Sequence, residues 1–121
     1  MDNISRQSII DYIKKKYRAR DEYLWTKYPS FAVFRHNDNR KWFAIIMNIS
    51  KRKLGFDENC CVDIINVKCE PFVAELNIDY KNIFPAYHMN KEKWISIILD
   101  NKIEIDKLLK LIDMSYNITK K

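Results

Sequence analysis

Phe31-Ala32-Val33-Phe34-Arg35-His36, then Asn37-Asp38-Asn39-Arg40, then Trp42-Phe43-Ala44-Ile45-Ile46-Met47-Asn48-Ile49: two apolar, β-rich runs flank four turn-forming residues. That arrangement reads as a β-hairpin, because Asn and Asp tolerate the tight backbone of a turn while branched and aromatic side chains suit a pleated surface. Val62–Cys69 reads as a third strand. Glu70-Pro71 opens a short helix through about Leu76, with proline at the first helical position. Tyr87-His88 is expected to form a short strand, and Lys93–Leu99, with its run Trp-Ile-Ser-Ile-Ile-Leu, a further one.

Helices close both ends. Over residues 5–18, Ser5 can cap the first turn, while Ile4 and Ile9 stand where a hydrophobic staple needs them. Ile10, Ile13 and Tyr17 continue the apolar stripe. Over 104–117, Ile105, Leu108, Leu109, Ile112 and Tyr116 follow helical spacing. The order is α-βββ-α-ββ-α, which implies a two-layer α+β domain: a mostly antiparallel sheet with helices on one face. Without repeat, linker or low-complexity tract, residues 1–121 read as one domain.

Alternation along the strands predicts the faces. Phe43, Ile45, Met47 and Ile49 are expected under the helices with Ile65, Val67, Cys69, Ile95, Ile97 and Leu99. Trp42, Ala44, Ile46 and Asn48 fall opposite, with Val62, Ile64, Asn66, Lys68, Trp94, Ser96 and Ile98. So many large apolar groups on an open face call for a cover or a partner.

Composition narrows the function. The chain has a single glycine, Gly55. Phosphate-cradling and dinucleotide loops need several glycines at fixed spacing, which excludes both. Cys60, Cys61 and Cys69 form neither a disulfide framework nor a paired zinc motif, and reduced thiols are expected. No stretch is long and apolar enough for a membrane helix, and the N-terminal residues are too polar for a signal peptide. A cytoplasmic location without membrane association is expected.

Residues 1–53 carry a balance of +8 within a formal net charge of +6 for the whole chain. Such a half attracts polyanions. Ile, Lys and Asn together make up 45 of the 121 residues, however, and that bias alone accounts for much of the lysine.

A series of short segments then stands out: Tyr28-Pro29, Ala32-Val33-Phe34-Arg35-His36, Asn39-Arg40-Lys41-Trp42-Phe43-Ala44 and Lys53-Leu54-Gly55. It continues through Val62-Asp63-Ile64, Asn66-Val67-Lys68-Cys69-Glu70-Pro71, Pro85-Ala86-Tyr87-His88-Met89-Asn90-Lys91, Trp94-Ile95 and Ser115-Tyr116. In this order, over about residues 22–119, the chain resembles the MmcQ/YjbR family. The resemblance implies a double-wing α/β fold similar to frataxin (CyaY) and to secretion chaperones. It also implies DNA binding, which is predicted for family members. It carries over no catalytic residue. Glu104 stands where relatives often have proline, and the segment before Pro85 lacks a glycine common among them.

Three functions fit these residues. Nucleic-acid binding would use Arg35, Lys41, Lys53, Lys68 and Lys91 for phosphates and Trp42 and Trp94 for stacking on bases. A protein-interaction or homodimer surface would use the same tryptophans, and a small-ligand pocket is the third reading. Asp63, Asn66, Tyr87 and His88 are expected to form a polar network, structural or ligand-binding. His88 with Asp63 or Cys69 suggests an acid–base pair, but no third orienting group accompanies them, so a non-enzymatic protein without cofactor is expected. His36, His88 and the scattered carboxylates lack metal-ligand spacing, and no metal is expected.

Overall fold

The computed structural model describes residues 3–120. Helix α1 spans Arg6–Tyr17 and strands β1 and β2 span Ala32–Arg35 and Trp42–Ser50. A 3-10 turn at Lys51–Leu54 leads to β3, Cys61–Lys68, and helix α2 follows at Pro71–Asn77. Strands β4, Ile83–Pro85, and β5, Trp94–Ile98, precede helix α3, Ile105–Ile118. The strands form an antiparallel sheet in the order β1-β2-β3-β5-β4.

The starting signals of α1 work as the sequence predicts. The Ser5 side chain accepts from the Ser8 N–H, the Ser8 hydroxyl reciprocates at Ser5, and Ile4 and Ile9 are both buried. Ile9, Ile10 and Ile13 of α1 and Leu108, Leu111 and Ile112 of α3 enter one apolar core with Ala44, Ile46, Ile65, Val67, Ile95 and Ile97. Helix α3 lies over β2 and β3, where the Ser115 hydroxyl donates to the Phe43 carbonyl at 2.6 Å and accepts the Lys68 N–H at 2.8 Å.

Two expectations are corrected. In β2, Ile45, Met47 and Ile49 face away from the helices, while Ala44 and Ile46 face them. Phe34 pairs with Ala44 and Arg35 with Trp42, so Phe43 is an extra residue, a bulge that keeps Phe43 and Ala44 both in the helix-side core. The strand is apolar on both faces, so alternation alone does not fix its phase; pairing of Ile46 with Ile65 does. Trp42 stays on the non-helical face, as expected. Secondly, Tyr87-His88 is a turn, with His88 at φ 61°, and the strand is Ile83–Pro85, whose Ile83 and Phe84 pair with Ile97 and Ser96.

The non-helical face holds a second core: Val33, Ile45, Met47, Ile49, Ile64, Phe84, Trp94 and Ile98 are all buried there. The cover it requires comes from the chain itself. Trp25 and Phe31 lie over one end, Leu54 and Phe56 over another, and Ala86, Tyr87 and Met89 over the third.

Candidate functional site

That cover is incomplete over Trp42. A cavity of about 290 Å³ opens there, floored by Ile45 and Met47 of β2. This is near the lower end of the ~300–1,000 Å³ typical of small-molecule sites. One wall belongs to the segment before β1, held to the sheet edge by reciprocal backbone hydrogen bonds between Glu22 and Val33 at 2.9 and 2.8 Å. The Arg6 guanidinium donates to the Ser30 carbonyl and fixes the segment's far end. Within it, Tyr28 stacks on Phe31 with centroids 4.9 Å apart, and Trp25 meets Trp42 edge to face at 5.8 Å. Tyr28 is 43% exposed and Trp42 half-buried, so aromatic surface remains available at the mouth.

His88 and Met89 supply the opposite wall. Their loop hangs from the sheet by a buried polar linkage. The Asn66 amide donates to the Tyr87 carbonyl at 2.9 Å, the Ser96 hydroxyl donates to the Asn66 side-chain oxygen, and the Tyr87 N–H donates to Ser96 Oγ at 2.9 Å. Lys91 Nζ donates to the Ala86 carbonyl at 2.5 Å and closes the loop on itself. Burial pushes the Tyr87 phenol above its ordinary pKa, with Tyr28 acting in the same direction.

The residues singled out from the sequence separate into groups. Asn66 and Tyr87 join the expected network, Tyr87 through its backbone; His88 packs its ring 4.1 Å from the Tyr87 ring at the cavity mouth. Asp63 does not join. One residue from Ile64, it points to the helix side, where it accepts from Asn48 Nδ2 at 3.0 Å and lies 4.0 Å from Arg6. Trp94 is 9% exposed beneath the chain's own loops, so its ring is closed to stacking from outside; Trp42 keeps an open edge. Lys68, opposite Trp94 in the sheet, is half-buried. Lys41 and Lys91 are exposed but do not line the cavity, and Lys53 sits on the 3-10 turn.

Arg35 lies beside Trp42 in register and 3.4 Å from Glu22. Arg40 pairs with the same carboxylate at 3.4 Å, and Arg20 lines the cavity they share. These two arginines, with Trp25, Tyr28, Met47 and Met89, are not among the site residues proposed from the sequence. The aromatic density of Trp25-x-x-Tyr28-Pro29-x-Phe31 ahead of a strand was the available signal.

The YjbR family model matches residues 14–118. The chain belongs to the YjbR family. It is 40% identical to the uncharacterized protein YyaQ of Bacillus subtilis, over 97% of this chain and 99% of that one. The uncharacterized protein YbdF of Escherichia coli O157:H7 is 34% identical, over 80% of this chain and 70% of its own length. A crystal structure of a Pseudomonas syringae protein superposes with a TM-score of 0.92 at 40% identity, covering 96% of this chain and 99% of that one. A Deinococcus radiodurans protein with the family-model domain DUF419 shares the fold at 17% identity, with a TM-score of 0.74, covering 98% of this chain and 80% of that one.

In this YjbR protein the suggested acid–base groups are not assembled. His88 is at the cavity mouth, Asp63 on the helix side, and Cys69 in the helix-side core, where burial pushes its thiol pKa up. Among the described residues no three His, Cys, Asp or Glu side chains converge as a metal site, and no helix is long and apolar enough to cross a membrane. What this chain presents at that face is an aromatic cavity, with Arg35 beside Trp42 in register. A lining of this kind has the shape and polarity to accommodate a flat, partly apolar group.

Proposed function

We propose that this YjbR-family protein is a non-enzymatic nucleic-acid-binding protein that takes unstacked bases of a single strand into the aromatic cavity. The observation that carries the reading is the cavity on β2, where Trp25, Tyr28 and Trp42 surround an apolar floor. A base offers a π-face to such a slot whatever its identity, and a stacked base contributes about 1–3 kcal/mol. A duplex keeps its bases paired and stacked, so the cavity favours a single strand. Arg35 and Arg40, paired loosely with Glu22 beside Trp42, are the cations that support contact with a strand's phosphates.

Fluorescence anisotropy with labelled single- and double-stranded oligonucleotides over a salt series tests this. Single strands should bind more tightly. Three phosphate contacts would weaken that binding roughly 20-fold between about 50 and 200 mM salt. Trp42→Ala should lose about tenfold or more through the missing stacking surface. An absence of binding at low salt, or affinity indifferent to Trp42, would overturn the reading.

A further inference from the structure

The aromatic cavity has a charged neighbour. At the end of the hairpin, a second cavity of about 400 Å³ is walled by Arg20, Arg35 and Arg40, with Glu22 and Asn37 completing it. Two of these guanidinium groups, those of Arg35 and Arg40, share the Glu22 carboxylate. The pairs they make with it are loose: Glu22 Oε2 is 3.4 Å from Arg35 Nε, and Glu22 Oε1 is 3.4 Å from an Arg40 terminal nitrogen. Well-made charge-assisted hydrogen bonds are near 2.7–2.9 Å. Arg35 Nε is shielded from solvent and makes no hydrogen bond, so its proximity to Glu22 leaves a buried donor unused. Unused buried donors are uncommon and call for an acceptor.

Register joins this cluster to the aromatic cavity. Arg35 is paired with Trp42 across β1 and β2. Side chains at such positions project from the same face with Cβ atoms about 4.5–5.5 Å apart. Trp42 is a wall of the aromatic cavity. The segment that carries Glu22 continues directly into Trp25, whose ring meets Trp42 edge to face.

We propose that the two cavities form one site for a nucleoside phosphate, with the base against Trp42 and Trp25 and the phosphate on Arg35 and Arg40. The proposal rests on the base-stacking reading of the aromatic cavity and adds the group recognised beside it. A planar guanidinium presents parallel donors that match phosphate oxygens better than an ammonium does. Glu22 is then the resident anion. It compensates the arginines when the site is empty and yields them to a phosphate, because part-exposed ion pairs of this kind are weak. A free mononucleotide and one residue of a strand carry the same chemistry.

Binding of adenosine, adenosine 5′-monophosphate and a single-stranded oligo(dA) to the full chain tests the proposal, followed by NMR at the Trp42 indole N–H and the Arg35 Nε–H. The monophosphate should bind about tenfold or more tightly than adenosine, as expected for hydrogen bonds to a charged group. Arg35→Gln should bring the ratio of monophosphate to adenosine affinity close to one. Glu22→Gln should tighten the monophosphate several-fold and widen its preference over adenosine, a gain that misfolding cannot imitate. Equal affinity for the two ligands, or a preference that survives Arg35→Gln, would overturn the proposal. If the oligonucleotide still bound through Trp42 in that case, the nucleic-acid reading would stand alone. Monophosphate binding without oligonucleotide binding would identify a free nucleotide as the ligand and remove the nucleic-acid reading instead. Failure of all three ligands to bind would remove both.

Discussion

Asn66 is the side chain from which the far wall of the cavity is suspended. It is fully buried, and both ends of its amide are used, one on the Tyr87 carbonyl and the other on the Ser96 hydroxyl. An aliphatic residue at the same place would sit comfortably among Ile64, Ile98 and Trp94, so its polarity is explained by the loop and not by the sheet. Asn66→Ala would leave the Tyr87 carbonyl and the Ser96 side chain each short of a partner. Unsatisfied buried groups cost about 1–3 kcal/mol. Urea denaturation should therefore show a loss in that range. Faster amide exchange at Tyr87 should accompany it, together with weaker binding in the aromatic cavity. Unchanged exchange at Tyr87 would mean that the loop is held by its apolar contacts alone.

Gly55 shows what a local rule can predict at the scale of an element. It closes the 3-10 turn after β2 with φ 96°, and its N–H donates to the Arg52 carbonyl at 3.1 Å. A Cβ there would touch nothing within 4 Å, so Gly55→Ala tests backbone conformation without a packing change. A left-handed backbone costs an L-residue about 1–2 kcal/mol, and thermal or urea unfolding should register that loss. An unaltered midpoint would show that the turn relaxes freely. Elements governed by such local chemistry were legible in the sequence: the Ser5 cap, the Pro71 start of α2 and the spacing of α3. Elements governed by tertiary pairing were not. The phase of β2 was hidden because both faces are apolar, and the bulge at Phe43 is created only by its partner strand. Tyr87-His88 resembled a strand because its polar anchors, Asn66 and Ser96, are distant in sequence. The candidate site was legible in Trp42, Arg35 and His88. The ring of Trp25 was missed because its segment has no periodicity and acquires its place only by lying across β1.

The whole molecule carries its excess of positive charge in a partly compensated form, and its acid sensitivity follows from a few groups fixed by the fold. Lys14 pairs with Asp21 at 2.9 Å, and Lys16 with Asp113 at 2.7 Å, which ties α1 to α3. His36 is buried beside Phe43 and Tyr116, its Nε2 2.7 Å from the Thr119 hydroxyl. Burial pushes its pKa below the ordinary value. The native protein therefore takes up this proton at lower pH than the unfolded chain does. The resulting stability is complete above about pH 6.5 and declines as pH falls from there through the folded pKa. Partial burial acts to raise Asp79, but the backbone N–H groups of Ile83, Asn82 and Lys81 outweigh it and hold the carboxyl below its usual range. Burial is likewise opposed at Asp21, by Lys14 and Tyr23, with a net lowering. Stability from these two carboxylates is present above about pH 4 and is lost below it. The urea midpoint should thus hold near neutrality, fall gradually below about pH 6.5, and fall again below about pH 4. His36→Gln keeps a donor toward Thr119 without titrating in this range. It should abolish the first decline and leave the second, and a first decline that persists in the variant would show that another group takes up the proton.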